Sequence, residues 1–358
     1  MRKGFYYGLI WVGVLALFIR CGEDAEPRVE SLFANGVFIV NEGNFTESDG
    51  SLSYYDFDSS EVANHIFEAI NDRPLAAIFQ SMAMYAGRGY IVDTNGRIEI
   101  VDAKDLTSIG AIDGDLDLPR YFAGFGNYGY VTDWGLYDEN WANPDSKIHV
   151  IDLEAMSVSE SLNTPSRPEG IMAINGLVYV ANSATNLITV YDPASNNLID
   201  SIEVNNGPIQ FVMDRNQDLW VISNGAYISG GALQQIDLQG GEVNSTVDLS
   251  DIFPNGRLAI NGNRDVLFFM GETWAADFSY TENKVYKTSI NDPGRYTEII
   301  DEKNLYGLGV DPQHEEVYVA DAVAFQGNGK VYTYDFAGNK LDEYSVGRGP
   351  RDFVFLTK

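Results

Sequence analysis

Seven copies of one short pattern recur along the chain, and this repeat limits the possible folds more than any other feature of the sequence. Each copy has a hydrophobic strand of the type aromatic-Val-x-Asp/Asn, a loop, and a second, alternating strand that ends near an Asp. The first strand reads YVTD, YVAN, YVAD, YIVD, WVIS, FIVN or FFMG, starting at Tyr130, Tyr179, Tyr318, Tyr90, Trp220, Phe38 and Phe268. Alternation with a period of two predicts half-buried β-strands.

The spacing of the copies predicts the architecture. The alternating strands close at Asp56, Asp102, Asp152, Asp192, Asp237, Ser289 and Asp335, which are separated by 46, 50, 40, 45, 52 and 46 residues. Such periods fit the four-stranded blades of a propeller, whereas a helical solenoid would need amphipathic helices that the sequence lacks. We therefore predict an all-β fold, a seven-bladed β-propeller of four-stranded antiparallel blades, over residues 36–358.

The two ends of the repeat region predict how the ring closes. Inner strands begin with Pro followed by polar residues and a hydrophobic run, as at Pro119, Pro168 and Pro208. The same phrase returns at Pro350, after the last blade is complete, while the first unit begins at Gly36 with its second strand. We expect the C-terminal strand to complete the first blade, which removes the open edge of the ring.

The N-terminus is typical of an export signal. Arg2 and Lys3 precede an apolar run from Phe5 to Ile19, which is shorter than the roughly 20 residues of a membrane span. We interpret residues 1–20 as a signal peptide and residues 21–35 as a lipidated Cys with a tether. Cys21, the single cysteine, follows the run directly, and its placement resembles a bacterial lipoprotein signal. Arg20 precedes it where such signals have a small residue, so an uncleaved N-terminal anchor is the alternative.

The residues after Cys21 suggest where the protein resides. Gly22, Glu23, Asp24, Ala25 and Glu26 form an acidic stretch that is similar to the surface-export tag of Bacteroidetes lipoproteins. The resemblance implies a cell-surface-exposed protein held on the outer membrane by its lipid, or a periplasm-facing one if the tag is not read. Several acyl chains would bind it firmly to the membrane.

The charge of the chain excludes one class of partner. The formal net charge is −29, and residues 1–20 contribute basic but no acidic residues. A protein this acidic repels phosphate backbones, which are bound by clustered Lys and Arg. We expect no nucleic-acid partner.

The sequence lacks the common catalytic and metal-binding motifs. Its three histidines, His65, His149 and His314, fall in different repeat units, so no zinc-type cluster is expected. A run of Asp113, Asp115 and Asp117 lacks the Gly and Glu of an EF-hand loop. No nucleophile elbow, phosphate loop or dinucleotide fingerprint is found. We predict no catalytic residues, no metal, no cofactor and no enzymatic activity.

A candidate ligand site follows from propeller geometry, because two sets of loops open on the same face. The loops that lead into the inner strands carry polar residues, and the loops between second and third strands carry aromatic ones. From these loops we predict ligand contacts from Arg120, Glu169, Gln210, Arg351, Trp134, Tyr137, Trp141, Tyr227, Trp274, Phe278 and Phe325. Gln80, Arg257 and Phe45 lie on the same loops. Aromatic area around convergent polar groups suits a large, flat, partly polar ligand such as a corrinoid, a haem or an oligosaccharide.

The YVTD, YVAN and YVAD repeats, in units of about 45 residues, resemble the YVTN-repeat (YncE-like) propeller family. Together with GVFIVNEGNF at residues 36–45, RYFAGFGNYGYVTDWG at residues 120–135 and the lipoprotein start, they look like Bacteroidetes propeller lipoproteins encoded beside TonB-dependent receptors. That group includes BtuG-type proteins, which capture cobalamin for a BtuB-like transporter. The resemblance implies a surface protein that binds cobalamin or a similar nutrient and presents it to a TonB-dependent outer-membrane receptor. A glycan-binding protein, a propeller lyase or hydrolase, and a protein–protein scaffold are the alternatives.

Overall fold

In a computed structural model, residues 31–225, 230–274 and 280–356 form seven four-stranded antiparallel sheets arranged as the blades of a propeller. These ranges are the part of the chain that the structure describes, and the side chains of residues 273–274 and 280–282 are outside the description. The predicted seven-bladed, all-β fold is confirmed. Within the described ranges, no helix has the length and apolar character needed to cross a membrane.

The first four blades follow the chain in order, with successive strands of each blade running from the centre of the ring outward, and in blade 1 the chain starts with the second strand. Blade 1 contains β1 (Gly36–Asn41), β2 (Ser51–Asp56) and β3 (Glu61–Ala63), followed by the short helix α1 (Ile66–Asn71). Blade 2 contains β4 (Phe79–Tyr85), β5 (Arg88–Asp93), β6 (Arg97–Asp102) and β7 (Ser108–Asp113). Blade 3 contains β8 (Pro119–Phe125), β9 (Tyr128–Asp133), β10 (Lys147–Asp152) and β11 (Ser157–Asn163). Blade 4 contains β12 (Pro168–Ile174), β13 (Leu177–Asn182), β14 (Leu187–Asp192) and β15 (Asn197–Glu203).

The remaining three blades repeat this order, and one further strand ends the chain. Blade 5 contains β16 (Pro208–Met213), β17 (Leu219–Ser223), β18 (Ala232–Asp237) and β19 (Glu242–Asp248). Blade 6 contains β20 (Pro254–Ile260), β21 (Val266–Trp274), β22 (Tyr280–Ser289) and β23 (Asp292–Glu302). Blade 7 contains β24 (Leu305–Val310), β25 (Glu316–Asp321), a 3₁₀ turn (Val323–Phe325), β26 (Lys330–Asp335) and β27 (Lys340–Ser345). The final strand is β28 (Pro350–Leu356).

The hydrophobic core is divided into seven clusters, one between each pair of neighbouring blades. The second strand of a blade packs against a neighbour on both faces, so all six residues of β1 are buried. Outer strands face water, and β15 buries only Ile202. This gradient explains why the YVTD-type strands are continuous hydrophobic runs while the outer strands are polar.

Ring closure occurs as the sequence predicts. Strand β28 pairs antiparallel with β1, with Val354 opposite Phe38 and Phe353 opposite Ile39. The innermost strand of blade 1 therefore comes from the other end of the chain, and hydrogen bonds close the ring.

Residues 31–35, which were predicted to be part of the tether, pack against the propeller. Phe33 packs its ring 4.8 Å from that of Tyr54 and 5.2 Å from that of Phe38. Leu32 N–H donates to the carbonyl of Lys104. Residues 31–35 are thus part of the propeller, because Phe33 covers apolar surface that blade 1 would otherwise expose.

The recurrent acidic residues at the ends of the third strands form turns. Asp102, Asp152, Asp192, Asp237 and Asp335 each accept a hydrogen bond from the backbone N–H two residues further along. This is the Asx-turn geometry that short acidic side chains favour. Their repetition thus reflects turn formation.

Candidate functional site

One irregularity recurs in every blade and sets the side chains of the site. In all seven innermost strands the regular pairing with the second strand is interrupted directly after the first residue, by one extra residue in six blades and by two in blade 6, which is a β-bulge or a related irregularity. A bulge takes a residue out of the alternation and redirects its side chain. We call the residue after the first one of each inner strand the bulge residue; the seven are Gln80, Arg120, Glu169, Ile209, Asn255, Tyr306 and Arg351.

Four of the bulge residues border a cavity at one mouth of the ring. The cavity has a volume of about 320 Å³. It is lined by residues of blades 7, 1, 2 and 3, namely Glu42, Phe45, Ile78, Gln80, Thr94, Leu118, Arg120, Trp134, Tyr137, Tyr306 and Arg351. A volume of this size lies at the lower end of the range of small-molecule sites.

A buried ion pair forms the cavity wall at the seam, which is our name for the pairing of β28 with β1 that closes the ring. Arg351 of β28 places one guanidinium nitrogen, Nη1, 2.6 Å from Oε2 of Glu42, which follows β1. The hydroxyl of Tyr306 donates to the same oxygen at 2.5 Å. Burial tends to lower the pKa of Arg351, but the neighbouring oxygens of Tyr306 and Glu42 outweigh burial and raise it above its ordinary value. Burial raises the pKa of Tyr306, so both groups keep their protons and donate hydrogen bonds.

A second arginine stands on the opposite wall. Arg120 Nη2 lies 3.3 Å from Oε1 of Glu169 in the next blade. The guanidinium carbon of Arg120 is 4.3 Å from the ring centroid of Trp134, and that of Arg167 is 5.3 Å from it. Trp134 is therefore held by cation–π contacts, which fix its indole at the cavity edge.

A rigid loop between β9 and β10 carries aromatic side chains from the cavity outward. Asp133 anchors its start by accepting hydrogen bonds from the N–H groups of Gly135 and Leu118. Within the loop, Asn143 is fully buried and donates to the Gly135 carbonyl. Arg167 donates to the Trp141 carbonyl at 2.7 Å. These bonds fix the loop as a structural unit.

The aromatic rings of this loop are arranged in a row. The ring of Tyr137 lies 6.5 Å from that of Trp134 and 5.9 Å from that of Trp141. Trp141 adopts a left-handed conformation and is 76% exposed. A large exposed Trp held in a fixed loop offers a binding surface continuous with the cavity.

Several polar atoms of the cavity residues have no partner. Twelve buried side-chain N or O atoms lack a hydrogen-bond partner among the described residues, and four of them belong to residues of this one cavity. They are Gln80 Nε2, Thr94 Oγ1, Trp134 Nε1 and Arg351 Nε. Buried polar groups are normally paired, so four unpartnered atoms among the residues of one cavity make this cavity the candidate site.

The structure brings together some of the predicted site residues. Arg120, Trp134, Tyr137 and Arg351 line the cavity, as do Gln80 and Phe45 from the same loops. Glu169 is not a lining residue, but it forms an ion pair with the lining residue Arg120. Phe325 packs its ring 5.2 Å from that of the lining residue Tyr306.

Other predicted residues lie elsewhere. Gln210 does not line the cavity; its Oε1 accepts from Leu258 N–H in the next blade, because it is one residue past the bulge. Trp141 does not line the cavity, but its ring lies 5.9 Å from that of the lining residue Tyr137. Trp274 ends the extended strand β21 instead of lying on a loop, and its side chain is outside the described residues, as are Tyr227, Phe278 and Cys21.

The sequence prediction missed Glu42, Tyr306, Thr94, Ile78 and Leu118. Tyr306 could have been found, because it occupies the same repeat position as Arg120 and Arg351, although Leu305 replaces the usual Pro. The others carry no sequence signal that distinguishes them from ordinary loop residues. In the part of the chain that the structure describes, no three His, Cys, Asp or Glu side chains cluster as metal ligands would.

Comparison with protein families gives one match. A family model described as "Domain of unknown function (DUF5074)" matches residues 35–351, which is nearly the whole propeller. None of the curated proteins is significantly similar in sequence.

Known structures with the same fold are distant in sequence. A quinonprotein alcohol dehydrogenase-like protein from Bacteroides thetaiotaomicron has a TM-score of 0.68 at 16% identity, over 91% of this chain and 79% of that one. A functionally unknown protein from Desulfotomaculum acetoxidans has a TM-score of 0.66 at 10% identity, over 90% and 99%. Hydrazine synthase from Kuenenia stuttgartiensis has a TM-score of 0.64 at 16% identity, over 76% and 88%. At these identities the likeness concerns the fold alone.

Proposed function

The chain belongs to the DUF5074 family, whose description names no activity, and from its cavity we propose that it is a non-catalytic protein that binds a large, partly polar ligand. The observation that carries this proposal is the cavity of about 320 Å³, which is lined by side chains of four blades, four of which have an unpartnered polar atom. A cavity built for packing alone would be expected to satisfy those atoms within the protein.

A corrinoid such as cobalamin is the ligand that we propose. It is larger than the cavity, so one part would enter the mouth while the rest lies against the exposed rings of Tyr137, Trp141 and Phe45. These side chains are 44%, 76% and 71% exposed. The resemblance to YVTN-repeat lipoproteins supports a surface location and delivery to a TonB-dependent outer-membrane receptor.

A glycan is the second candidate, and the row of aromatic rings on the β9–β10 loop favours it. Sugar rings stack on aromatic faces, and Tyr137 and Trp141 are accessible at adjacent positions. On this alternative, a neutral oligosaccharide would bind along the loop outside the cavity.

Calorimetric titration tests the first proposal. Cyanocobalamin added to the purified protein is expected to bind at one site with micromolar or tighter affinity and to change its visible absorption. Tyr137→Ala and Trp134→Ala should each weaken binding at least about 10-fold, since each removes contact area worth more than about 1.4 kcal/mol. Absence of heat and of a spectral change at micromolar ligand would exclude cobalamin.

Blade 3 supplies a matched control. Tyr128 begins the strand that Asp133 ends, so it lies at the opposite end of β9 from the loop, and its exposure of 43% equals that of Tyr137 within a percent. Tyr128→Ala should leave binding unchanged. Maltohexaose in place of cyanocobalamin tests the glycan alternative, for which Trp141→Ala should cause a larger loss than Trp134→Ala.

A further inference from the structure

The unpartnered atoms of the cavity residues are mainly hydrogen-bond donors. Gln80 Nε2, Trp134 Nε1 and Arg351 Nε all carry hydrogen and cannot accept, while the Thr94 hydroxyl can do either. Gln80 and Arg351 are only 2% and 7% exposed, and both line the cavity. A molecule in the cavity that presents acceptor atoms can supply the partners that these three donors lack.

The charges around the cavity are already balanced. Arg351 faces Glu42 at 2.6 Å, and Arg120 faces Glu169 at 3.3 Å, so each lining arginine has its own carboxylate. Glu42 itself lines the cavity and is buried, which places a negative charge close to any bound molecule. The net charge of −29 adds a long-range repulsion of anions.

We infer that this cavity selects uncharged ligands that present oxygen acceptors, such as amide, carbonyl or hydroxyl groups, over carboxylate, phosphate or sulfonate ligands. The inference rests on the proposed binding function and specifies the ligand class of the same site. The donors supply hydrogen bonds without a net positive charge, because Glu42 and Glu169 neutralise the two arginines.

A matched pair of fluorescent probes tests this selectivity. 8-Anilinonaphthalene-1-sulfonamide and 8-anilinonaphthalene-1-sulfonate share the ring system and the sulfur-bound oxygen acceptors, and they differ in charge. The purified protein should bind the sulfonamide at least 10-fold more tightly. Equal or tighter binding of the sulfonate overturns the inference, and so does failure of the sulfonamide to bind at millimolar concentration.

Variants of the cavity residues locate the effect. Trp134→Phe and Gln80→Met each remove one donor at nearly constant volume and should weaken sulfonamide binding several-fold, whereas Tyr128→Ala should not. Glu42→Gln leaves Arg351 without a counter-charge and should raise sulfonate affinity at least 10-fold. If that variant does not fold, Glu169→Gln makes the same change beside Arg120. Unchanged sulfonate affinity in a folded variant contradicts the inference.

The outcome is separable from that of the cobalamin proposal. Selective sulfonamide binding without cyanocobalamin binding retains the ligand class and excludes the named ligand. Cyanocobalamin binding together with equal affinity for the two probes retains the proposed function and overturns the selectivity.

Discussion

The two halves of the ring use the same backbone irregularity for different purposes. In blades 7, 1, 2 and 3 the bulge residues are Tyr306, Arg351, Gln80 and Arg120, and they border an open cavity. In blade 5 the equivalent residue is Ile209, which is partly buried, and the backbone of Gly256 in blade 6 approaches it so closely that a Cβ there would lie 2.6 Å from its Cδ1. The bulge thus redirects a side chain in both regions, and the type of that residue decides whether the space beside it is filled by protein or left as a cavity.

Because of this difference, one side of the propeller contributes mainly to stability and the other mainly to the candidate binding site. On the other side of the ring, blades 4, 5 and 6, which we call the filled side, Ile209 of blade 5 packs against Gly256 of blade 6 and occupies the space beside the bulge. On the open side, formed by blades 7, 1, 2 and 3, polar bulge residues and aromatic loop residues line the cavity. Four buried polar atoms of the lining residues have no hydrogen-bond partner. Changes on the filled side should therefore affect folding, and changes on the open side should affect binding.

The largest loss of stability is expected on removal of β28, the strand of the open side that closes the ring. Deleting residues 350–358 removes β28, which supplies the innermost strand of blade 1 and pairs with Gly36–Asn41. The exposed edge and the lost cluster between blades 7 and 1 should abolish cooperative unfolding of the whole ring, as followed by circular dichroism on heating.

A peptide added in trans provides the control for that deletion. Residues 349–358 supplied as a synthetic peptide should restore a cooperative transition, while a scrambled peptide should not. A truncated chain that still unfolds cooperatively near the native temperature would show that the filled side folds without ring closure.

The buried ion pair of the seam should matter more than an exposed pair of the filled side. Arg351→Met leaves the buried Glu42 carboxylate uncompensated and should lower the free energy of unfolding by about 3–5 kcal/mol. Arg215 pairs with Asp265 at 2.9 Å but is about half exposed, and Arg215→Met should cost about 0–1 kcal/mol. Urea unfolding measures both. Equal losses would contradict the distinction between the two pairs.

Two substitutions, one on each side, test whether stability and ligand binding depend on different sides of the ring. Gly256→Ala places a Cβ against Ile209 at a residue whose φ is +88°, and should lower the free energy of unfolding by about 2–3 kcal/mol. It should leave ligand affinity within about twofold. Tyr137→Ala removes an exposed ring and should change stability by about 0.5 kcal/mol or less while weakening binding. Calorimetry and urea unfolding on each variant provide both quantities.

The sequence predicted the fold well because each blade repeats the same local rules. The strand ending at Asp102, the strand from Tyr130 and the closing strand from Pro350 all lie where the repeat puts them. These features depend on the alternation of apolar and polar residues, on turn residues and on the repeat period, all of which can be recognised in short stretches of sequence.

The site was predicted only in part because the bulges are not visible in the repeat. A slip of one residue redirects a side chain, so Gln210 was chosen where Ile209 is the bulge residue, and Tyr306 was missed. Glu42 was missed for a different reason. It meets Arg351, 309 positions away in the chain, only through closure of the ring, and such long-range pairing leaves no local pattern.

The smallest predicted effect compares one repeat position in two adjacent blades of the open side. Asp93 and Asp133 both end a second strand and accept hydrogen bonds from backbone N–H groups. Burial raises the pKa of Asp93, and its two N–H donors do not overcome this. Burial also acts to raise the pKa of Asp133, but His149 and three N–H donors outweigh burial and lower it.

The two shifts have opposite consequences for stability as pH changes. A lowered pKa means that the Asp133 carboxylate stabilises the fold above its unfolded pKa of about 3.9, and that this contribution is lost as pH falls below it. The raised pKa of Asp93 means that its ionisation opposes folding once the pH exceeds its unfolded value. Asp133→Asn should therefore lower the free energy of unfolding by about 1–2 kcal/mol at pH 7 and by less at pH 3, whereas Asp93→Asn should change it by less than about 1 kcal/mol. Urea unfolding at both pH values measures this. A loss for Asp133→Asn that does not shrink at low pH would mean that the carboxylate orients the β9–β10 loop through its shape alone, and the cavity wall would then be independent of charge at that position.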